Sequence, residues 1–344
     1  MKCWLTLLIA LTSSASCTLD FDHFGAPTVE TGQLPRILDD RYALRSVIGR
    51  GGMAIVMIAD DCHDLCQVAV KILLPQLASD ARARERFELE VDAARLVDHP
   101  SVVRLVGAGD HQGLPYMVME LVAGPSLVDL VGERGPLAWP LALELIRQAA
   151  GALEAMHDHG LVHRDAKPAN LLLQMEGLQP TRLKVGDLGF VRVSDKRITE
   201  AGNTLGTSAY MAPEQVLADA IDARTDVYAL GISLFYALTA ELPFQGAAGQ
   251  VMCHQLSSPA PPPSWLVEQL ADRGTIDLIV GTALRKAPDN RYATMAAFRN
   301  DLERALGQRP GKPEGVPLRI EPDVYTPTTE LGRDVLKALT EQYL

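Results

Sequence analysis

Near residue 122 the hydrophobic pattern changes its period, and that change constrains the fold more than any other feature of the chain. From Tyr42 to Leu73 apolar and polar residues alternate in short stretches, with glycines at 49, 51 and 52 and the run Val68-Ala69-Val70-Lys71-Ile72-Leu73. Alternation with a period of two marks antiparallel β structure. Ala81 to Leu96 then sets Phe87, Val91, Ala94 and Leu96 at near-helical spacing among Arg and Glu, and His99-Pro100 closes that element. Two more strand-like pieces, Val102 to Gly107 and Tyr116 to Leu121, lead to a break at Ala123-Gly124-Pro125. Beyond Leu127 the stretches are long and helical: Trp139 to His157, Asp226 to Thr239, Gly246 to Leu256, Ile276 to Leu284 and Met295 to Leu306. The expectation is an α+β chain with a small β-rich lobe carrying one charged helix, followed by a larger, mainly helical lobe.

Composition narrows the function classes. The 344 residues carry 43 Asp+Glu against 32 Lys+Arg, a net charge of −11, which argues against a general nucleic-acid binder. With 47% hydrophobic and 22% charged residues there is apolar surface for a sizeable core, so global disorder is excluded. Five cysteines without a disulfide framework point to a reducing compartment. Cys62 and Cys66 lack the second ligand pair that zinc needs, so a polar loop is expected there.

The two ends of the chain differ in character from its middle. Lys2, the apolar run Trp4 to Leu11 and the small residues through Cys17 have the outline of a signal peptide, too short to span a membrane. An export or anchoring signal, a non-functional leader and a start codon set too far upstream are the three readings. Arg309 to Pro327 reads as a linker. Thr329 to Leu344 reads as an amphipathic helix with Leu331, Val335 and Leu339 on one side, docked on its own domain or on a partner. The run Pro259-Ala260-Pro261-Pro262-Pro263 reads as a loop between helices in preference to a polyproline ligand.

Three motifs carry chemistry. Gly49-Arg50-Gly51-Gly52-Met53-Ala54-Ile55-Val56 lies between two strands, where glycines let a hairpin close over an anion and offer it N–H groups. Lys71 lies in an apolar strand and needs an anionic partner, either Glu90 on the charged helix or a phosphate. The third is the most specific: Val162-His163-Arg164-Asp165-Ala166-Lys167-Pro168-Ala169-Asn170-Leu171-Leu172, with Asp187-Leu188-Gly189 seventeen residues beyond Asn170. A base for a hydroxyl proton, a lysine to neutralise a moving phosphoryl group, and an amide plus a carboxylate for Mg²⁺ are what in-line phosphoryl transfer requires.

In this order of motifs the chain resembles the eukaryotic-like protein kinases, in wording most like their bacterial Ser/Thr branch, over about residues 42–306. The resemblance implies a bilobal kinase fold. It implies a kinase domain over 41–306 split into lobes 41–122 and 123–306, which leaves a leader and N-terminal extension over 1–40 and a linker and helical tail over 307–344. It implies that Gly49, Gly51 and Gly52 cover the ATP phosphates and that Val56, Ala69 and Leu172 sandwich adenine. Met119 would be the gatekeeper, and Glu120, Leu121 and Val122 the hinge.

By the same resemblance Lys71, oriented by Glu90, holds the α/β-phosphates. Asp165 is the catalytic base, Lys167 the γ-phosphate lysine, and Asn170 with Asp187 the ligands of Mg²⁺, or of Mn²⁺. Gly206-Thr207-Ser208-Ala209-Tyr210-Met211-Ala212-Pro213-Glu214 ends an activation segment in which Thr199, then Thr204, are the expected autophosphorylation sites; Thr207 is expected to bond the catalytic loop. Asp226 would bond the catalytic-loop backbone and Arg291 would pair with Glu214. Two residues depart from the family pattern, Ala54 for the third glycine and Leu188 for phenylalanine, and neither removes a charge from the reaction centre. The implied activity is transfer of the γ-phosphoryl of ATP to serine or threonine of protein substrates on the cytoplasmic side, with no spanning helix and no nucleic-acid partner. A nucleotide-binding scaffold with little catalytic role is the alternative, and small-molecule phosphotransfer a third reading.

Overall fold

The computed structural model describes residues 34–187, 208–270, 274–307 and 323–343. The chain divides at Pro35, and the fold described here is that of the second unit, Arg36–Leu344. The leader motif and the threonines at 199, 204 and 207, with Leu188, lie outside the described residues.

The small lobe is one antiparallel sheet of six strands: β1 (Ile37–Leu38), β2 (Tyr42–Arg50), β3 (Ala54–Asp61), β4 (Cys66–Leu73), β5 (Leu105–His111) and β6 (Leu114–Glu120). Their order is β1-β2-β3-β4-β6-β5. β2 to β4 are joined by short turns, and the turn after β3 is built by Asp61. That carboxylate is buried, takes Nε and Nη2 of Arg41 at 2.8 and 2.7 Å, and accepts the His63 N–H at 2.9 Å. Cys62 and Cys66 flank this turn and are exposed.

Between β4 and β5 the chain forms α1 (Ala81–Leu96), started by Asp80, whose carboxylate accepts the N–H of Arg82 and Ala83. Its buried side chains Ala83, Phe87, Glu90, Val91 and Ala94 fall on one helical face, and Phe87 and Val91 pack with Ala54, Leu73 and Met117 of the sheet. β5 begins three residues later than the sequence suggests. Val102 and Val103 join Val185 of the large lobe instead, as a bridge and an N–H···O=C bond of 2.9 Å, because their side chains are nearly fully buried there.

The large lobe is mainly helical. α2 (Leu127–Arg134) opens with a capping box between Ser126 and Asp129. α3 (Trp139–His157) follows, then a hairpin of β7 (Leu171–Glu176) and β8 (Gln179–Val185), an element that the helical reading of this lobe omits. After it come α4 (Pro213–Val216), α5 (Ala223–Thr239), α6 (Ala248–Ser257), α7 (Gly274–Ala283), α8 (Met295–Gly307) and α9 (Glu330–Tyr343). The core runs through α3, α5 and α8, with Ile146, Ala149, Leu153, Leu230, Leu234, Phe235, Phe298 and Leu302 at or near zero exposure.

α5 is buried almost end to end, and Gly231 lets it lie against α7: a Cβ there would fall 2.8 Å from Ala283 Cβ. The proline run after α6 leads to a short turn at Pro263–Trp265, secured by Ser264 N–H and Oγ on Asp277 at 3.0 and 2.6 Å. α9 docks on α6 through Val335, Leu336 and Leu339. Leu331, expected on that side, is 44% exposed; Leu336 takes its place, because a 3.6-residue turn rotates a strict fourfold spacing off the contact line. Among the described residues no helix is long and apolar enough to cross a membrane.

Candidate active site

Strand register assembles the upper wall of the cleft. Lys71 pairs with Val56 on one side and Met117 on the other, and Ala69 pairs with Met119. Lys71 and Ala69 are two residues apart, so Val56, Lys71, Ala69 and Met119 share one face of the sheet. That is the face on which α1 packs, which brings Glu90 to Lys71. The Lys71 Nζ donates to Glu90 Oε1 at 2.5 Å and to Asp187 Oδ1 at 2.7 Å. Gly49 pairs with Val56 near the end of β2, and Gly51 donates its N–H to Ala54 O at 2.9 Å, so Gly51 and Gly52 lie in the β2–β3 turn. A Cβ on Gly52 would meet nothing within 4 Å among the described residues, so none of them demands glycine there.

The lower wall is the loop between α3 and β7. Asp165 Oδ2 accepts Lys167 Nζ at 2.8 Å and Asn170 Nδ2 at 3.1 Å, and the same Nδ2 also donates to Asp165 O at 2.8 Å. Gly186 ties the end of β8 to this loop, its N–H donating to Asn170 O at 2.9 Å and its carbonyl facing His163 Nε2 at 3.1 Å, and the next residue, Asp187, meets Lys71 of the upper wall. Arg164 and Asp187 both take positive φ, 67° and 49°. For non-glycine residues that costs on the order of 1 kcal/mol each, a strain the surrounding bonds sustain. At Arg164 those bonds come from Asp226, which accepts His163 N–H at 2.9 Å, Arg164 N–H at 2.7 Å and the His157 ring at 2.8 Å, and at Asp187 from Lys71 Nζ at 2.7 Å. Ser233 Oγ on Ala166 O (3.1 Å) and Gln215 Nε2 on Arg164 O (2.8 Å) complete the frame.

The charges in the cleft are unequal. Burial works against the Lys71 ammonium, but Asp187 and Glu90 outweigh it and leave its pKa pushed up to about 12. Burial dominates at Glu90 and holds its carboxyl above the usual range despite Lys71. Asp187 is half open to solvent by surface exposure, yet crowded by the surrounding protein, which disfavours its charge; Lys71 outweighs that and keeps it below the ordinary value.

The protein-kinase-domain family model matches residues 42–302. This chain belongs to the protein kinase family. It is 38% identical over 290 residues to the serine/threonine-protein kinase PknB of Mycolicibacterium smegmatis, covering 81% of this chain and 45% of that protein. It is 35% identical over 323 residues to the serine/threonine-protein kinase Pkn1 of Myxococcus xanthus, covering 90% of this chain and 46% of that one. The chain thus spans about half the length of the curated relatives it matches. A crystal structure of a mutant of the Mycobacterium tuberculosis PknI kinase domain superposes with a TM-score of 0.59 at 25% identity, over 77% of this chain and 96% of the other. The bilobal kinase fold is shown by these matches together with the sheet and helices above.

Lys184, Gln215, Ser233 and His157 stand outside every motif yet bond residues of this kinase cleft. Lys184 donates to Glu120 Oε1 at 2.5 Å, and Glu120 also accepts Arg104 N–H at 2.8 Å, so the residue named for the hinge is clamped through its side chain. Leu172 is half-buried beside Gly186, where a Cβ would lie 3.2 Å from Leu172 Cδ1. Val122 is half-buried and its carbonyl accepts Gly124 N–H at 3.1 Å. Gln215, Ser233 and His157 support the catalytic loop, and nothing in their spacing announces it. Arg291 pairs with Glu214 through two bonds, 2.7 and 2.8 Å, as the resemblance implies.

Proposed function

We propose that this chain is a protein serine/threonine kinase that transfers the γ-phosphoryl of ATP to protein hydroxyls. One observation carries the proposal: Lys71 joins Glu90 and Asp187 at one wall of a cleft while Asp165, Lys167 and Asn170 form one hydrogen-bonded group at the other. The catalytic unit is proposed to be residues 41–306, with the cleft between 41–122 and 123–306.

Asn170 and Asp187 fit a hard divalent cation. The Asn170 amide nitrogen is committed to Asp165, so its Oδ1 is the atom left for a cation, and Asp187 adds a carboxylate. An all-oxygen set of this kind suits Mg²⁺ or Mn²⁺. Bound there, the ion would neutralise charge on the β- and γ-phosphate oxygens. Lys71 uses two of its three donors on carboxylates and keeps one for a phosphate oxygen. Glu90, fixed on the packed face of α1, orients Lys71. Asp165 accepts the proton of the attacking hydroxyl, and Lys167, already bonded to it, balances charge on the moving phosphoryl group. Val56, Ala69, Leu172 and Met119 line the proposed adenine site, with the backbone of Glu120 to Val122 facing the purine edge and Gly49, Gly51 and Gly52 over the phosphates.

Substrates are serines and threonines of proteins in the cytoplasm. Thr199 and Thr204 are the proposed autophosphorylation sites, and Thr207 the proposed partner of the catalytic loop. The test is an autophosphorylation assay with labelled ATP, wild type against Asp165→Asn. Label on the wild type and a loss of at least ~10²-fold in the variant is expected for removal of a general base. Equal label on both proteins, or on neither, would favour the nucleotide-binding scaffold.

A further inference from the structure

The segment Asp323–Tyr343 is tied to the large lobe by Lys286 N–H on Asp323 Oδ2 at 2.6 Å, by Tyr325 N–H on Leu256 O at 2.9 Å and, at the start of α9, by the carboxylate of Asp219. Asp219, just past α4, is 6% exposed. Its Oδ2 accepts the Tyr325 hydroxyl at 3.0 Å and the Thr328 N–H at 2.9 Å, and its Oδ1 accepts the Thr329 N–H at 3.0 Å and the Thr329 hydroxyl at 2.5 Å. The Thr329 Oγ1 also accepts Gly332 N–H at 3.0 Å, so the same hydroxyl caps the first turn of α9. There is little room around it: a Cβ on Gly332 would lie 3.1 Å from Asp219 Oδ1 and 3.0 Å from Thr329 Oγ1.

Beyond the cap, Val335, Leu336 and Leu339 cover Val216, Leu217, Met252 and Leu256, with Met211 and Tyr325 in the same cluster. Asp219 is in turn tied to the activation-segment end, since its N–H donates to Glu214 O at 2.8 Å.

We propose that Thr329 is a phosphorylation site and that a phosphate on it releases the segment Asp323–Tyr343 from the α4–α6 face. The Thr329 hydroxyl gives its one hydrogen to Asp219, and a phosphate ester oxygen has none to give. The ester also sets close to two negative charges against a buried carboxylate, which is the disruptive placement for a phosphate. Thr328, one residue earlier, is exposed and meets Asp219 through its backbone N–H, so a charge on its side chain points away from the clamp. In the docked segment the half-buried Thr329 hydroxyl is bonded to Asp219, so transfer to it requires that bond to open, and modification then holds the undocked form and uncovers an apolar surface beside Met211.

In the transfer step Thr329 Oγ bonds to the γ-phosphorus of ATP as the bond from that phosphorus to the β,γ-bridging oxygen breaks. ADP leaves, and the hydroxyl proton passes to Asp165 of a second copy of the chain. This step rests on the kinase reading above; the release does not.

The experiment is amide hydrogen exchange on the full chain for wild type, Thr329→Glu, Thr329→Val and Thr328→Glu, with α3 and α5 as the folding control. Expected is more than tenfold faster exchange in α9 for Thr329→Glu, a smaller rise for Thr329→Val, and wild-type protection for Thr328→Glu. Unchanged α9 protection in Thr329→Glu, or equal release by Thr328→Glu, overturns the clamp. Phosphate mapping by mass spectrometry after incubation with ATP and Mg²⁺ tests the other half, with phosphate on Thr329 in wild type and none in Asp165→Asn as the expected result. Phosphate on other residues but never on Thr329 overturns this site and leaves the kinase reading standing. Phosphate on no residue overturns both.

Discussion

Removing the Glu214 carboxylate tests the joint between the activation-segment end and the large lobe. Glu214 and Arg291 are 1% and 5% exposed. The guanidinium makes two bonds to the carboxylate, at 2.7 and 2.8 Å, and three to the carbonyls of Arg285, Lys286 and Arg224, at 2.7, 2.7 and 3.1 Å. Thr225 Oγ1 adds a bond to Glu214 Oε1 at 2.7 Å. In Glu214→Ala the three carbonyls still solvate the cation partly, but two charge-assisted bonds vanish and the Thr225 hydroxyl loses its acceptor. Breaking a buried pair from one side costs about 3–5 kcal/mol. At roughly 2–4 °C per kcal/mol for a domain of this size, that lowers Tm by about 10 °C.

Because the cost is the stranded charge and not the lost pair, Glu214→Leu with Arg291→Met should recover about 2 kcal/mol or more of it. Urea unfolding followed by the fluorescence of Trp139 and Trp265, both in the large lobe, measures these differences. A cost under about 1 kcal/mol for Glu214→Ala, or no recovery in the double variant, would refute the reasoning.

Two further predictions concern buried charges. Glu90→Gln leaves Lys71 held by Asp187 alone, so kcat should fall about 100-fold with KM changed little; steady-state kinetics showing wild-type kcat would count against the orienting role. Lys286 is buried, with Nζ 3.1 Å from His254 O, 3.3 Å from Tyr228 Oη and 4.3 Å from the Phe244 ring centre. Burial pushes its pKa down to about 7, against the pull of Asp323. Between that value and the ordinary lysine range the unfolded chain binds one more proton than the folded one, so stability rises as pH increases above 7. The ring of Phe244 favours the ammonium and limits the rise to about 2 kcal/mol. Denaturant unfolding from pH 7 to pH 10 should show that rise in wild type and lose it in Lys286→Met; identical slopes would refute it.

How much of this was legible in the sequence depends on whether a residue acts through chain-local spacing. α1 and α3 begin and end where the periodicity of Ala81–Leu96 and Trp139–His157 sets them, because each has a continuous apolar face. The groups at 165, 167 and 170 sit within one loop, so their meeting is local. Lys71, Glu90 and Asp187 are far apart in sequence, and there the family resemblance supplied what periodicity does not. β5 was misplaced because Val102 and Val103 are apolar enough for a strand yet spend their bonds on Val185. β7 and β8 were missed since the large lobe's pattern is dominated by helices. Lys184, Gln215 and Asp219 were invisible: each acts on a partner more than 50 residues away, and none stands in a motif.

The most direct measurement is the initial rate of phosphoserine and phosphothreonine formation on a protein acceptor by wild type and Asp187→Asn, with unfolding midpoints recorded for both. If Asp187 and Asn170 hold the cation on the phosphates, the variant should keep its midpoint within a few degrees and lose at least ~10³-fold in rate. A variant that forms both phosphoamino acids at the wild-type rate would contradict the account.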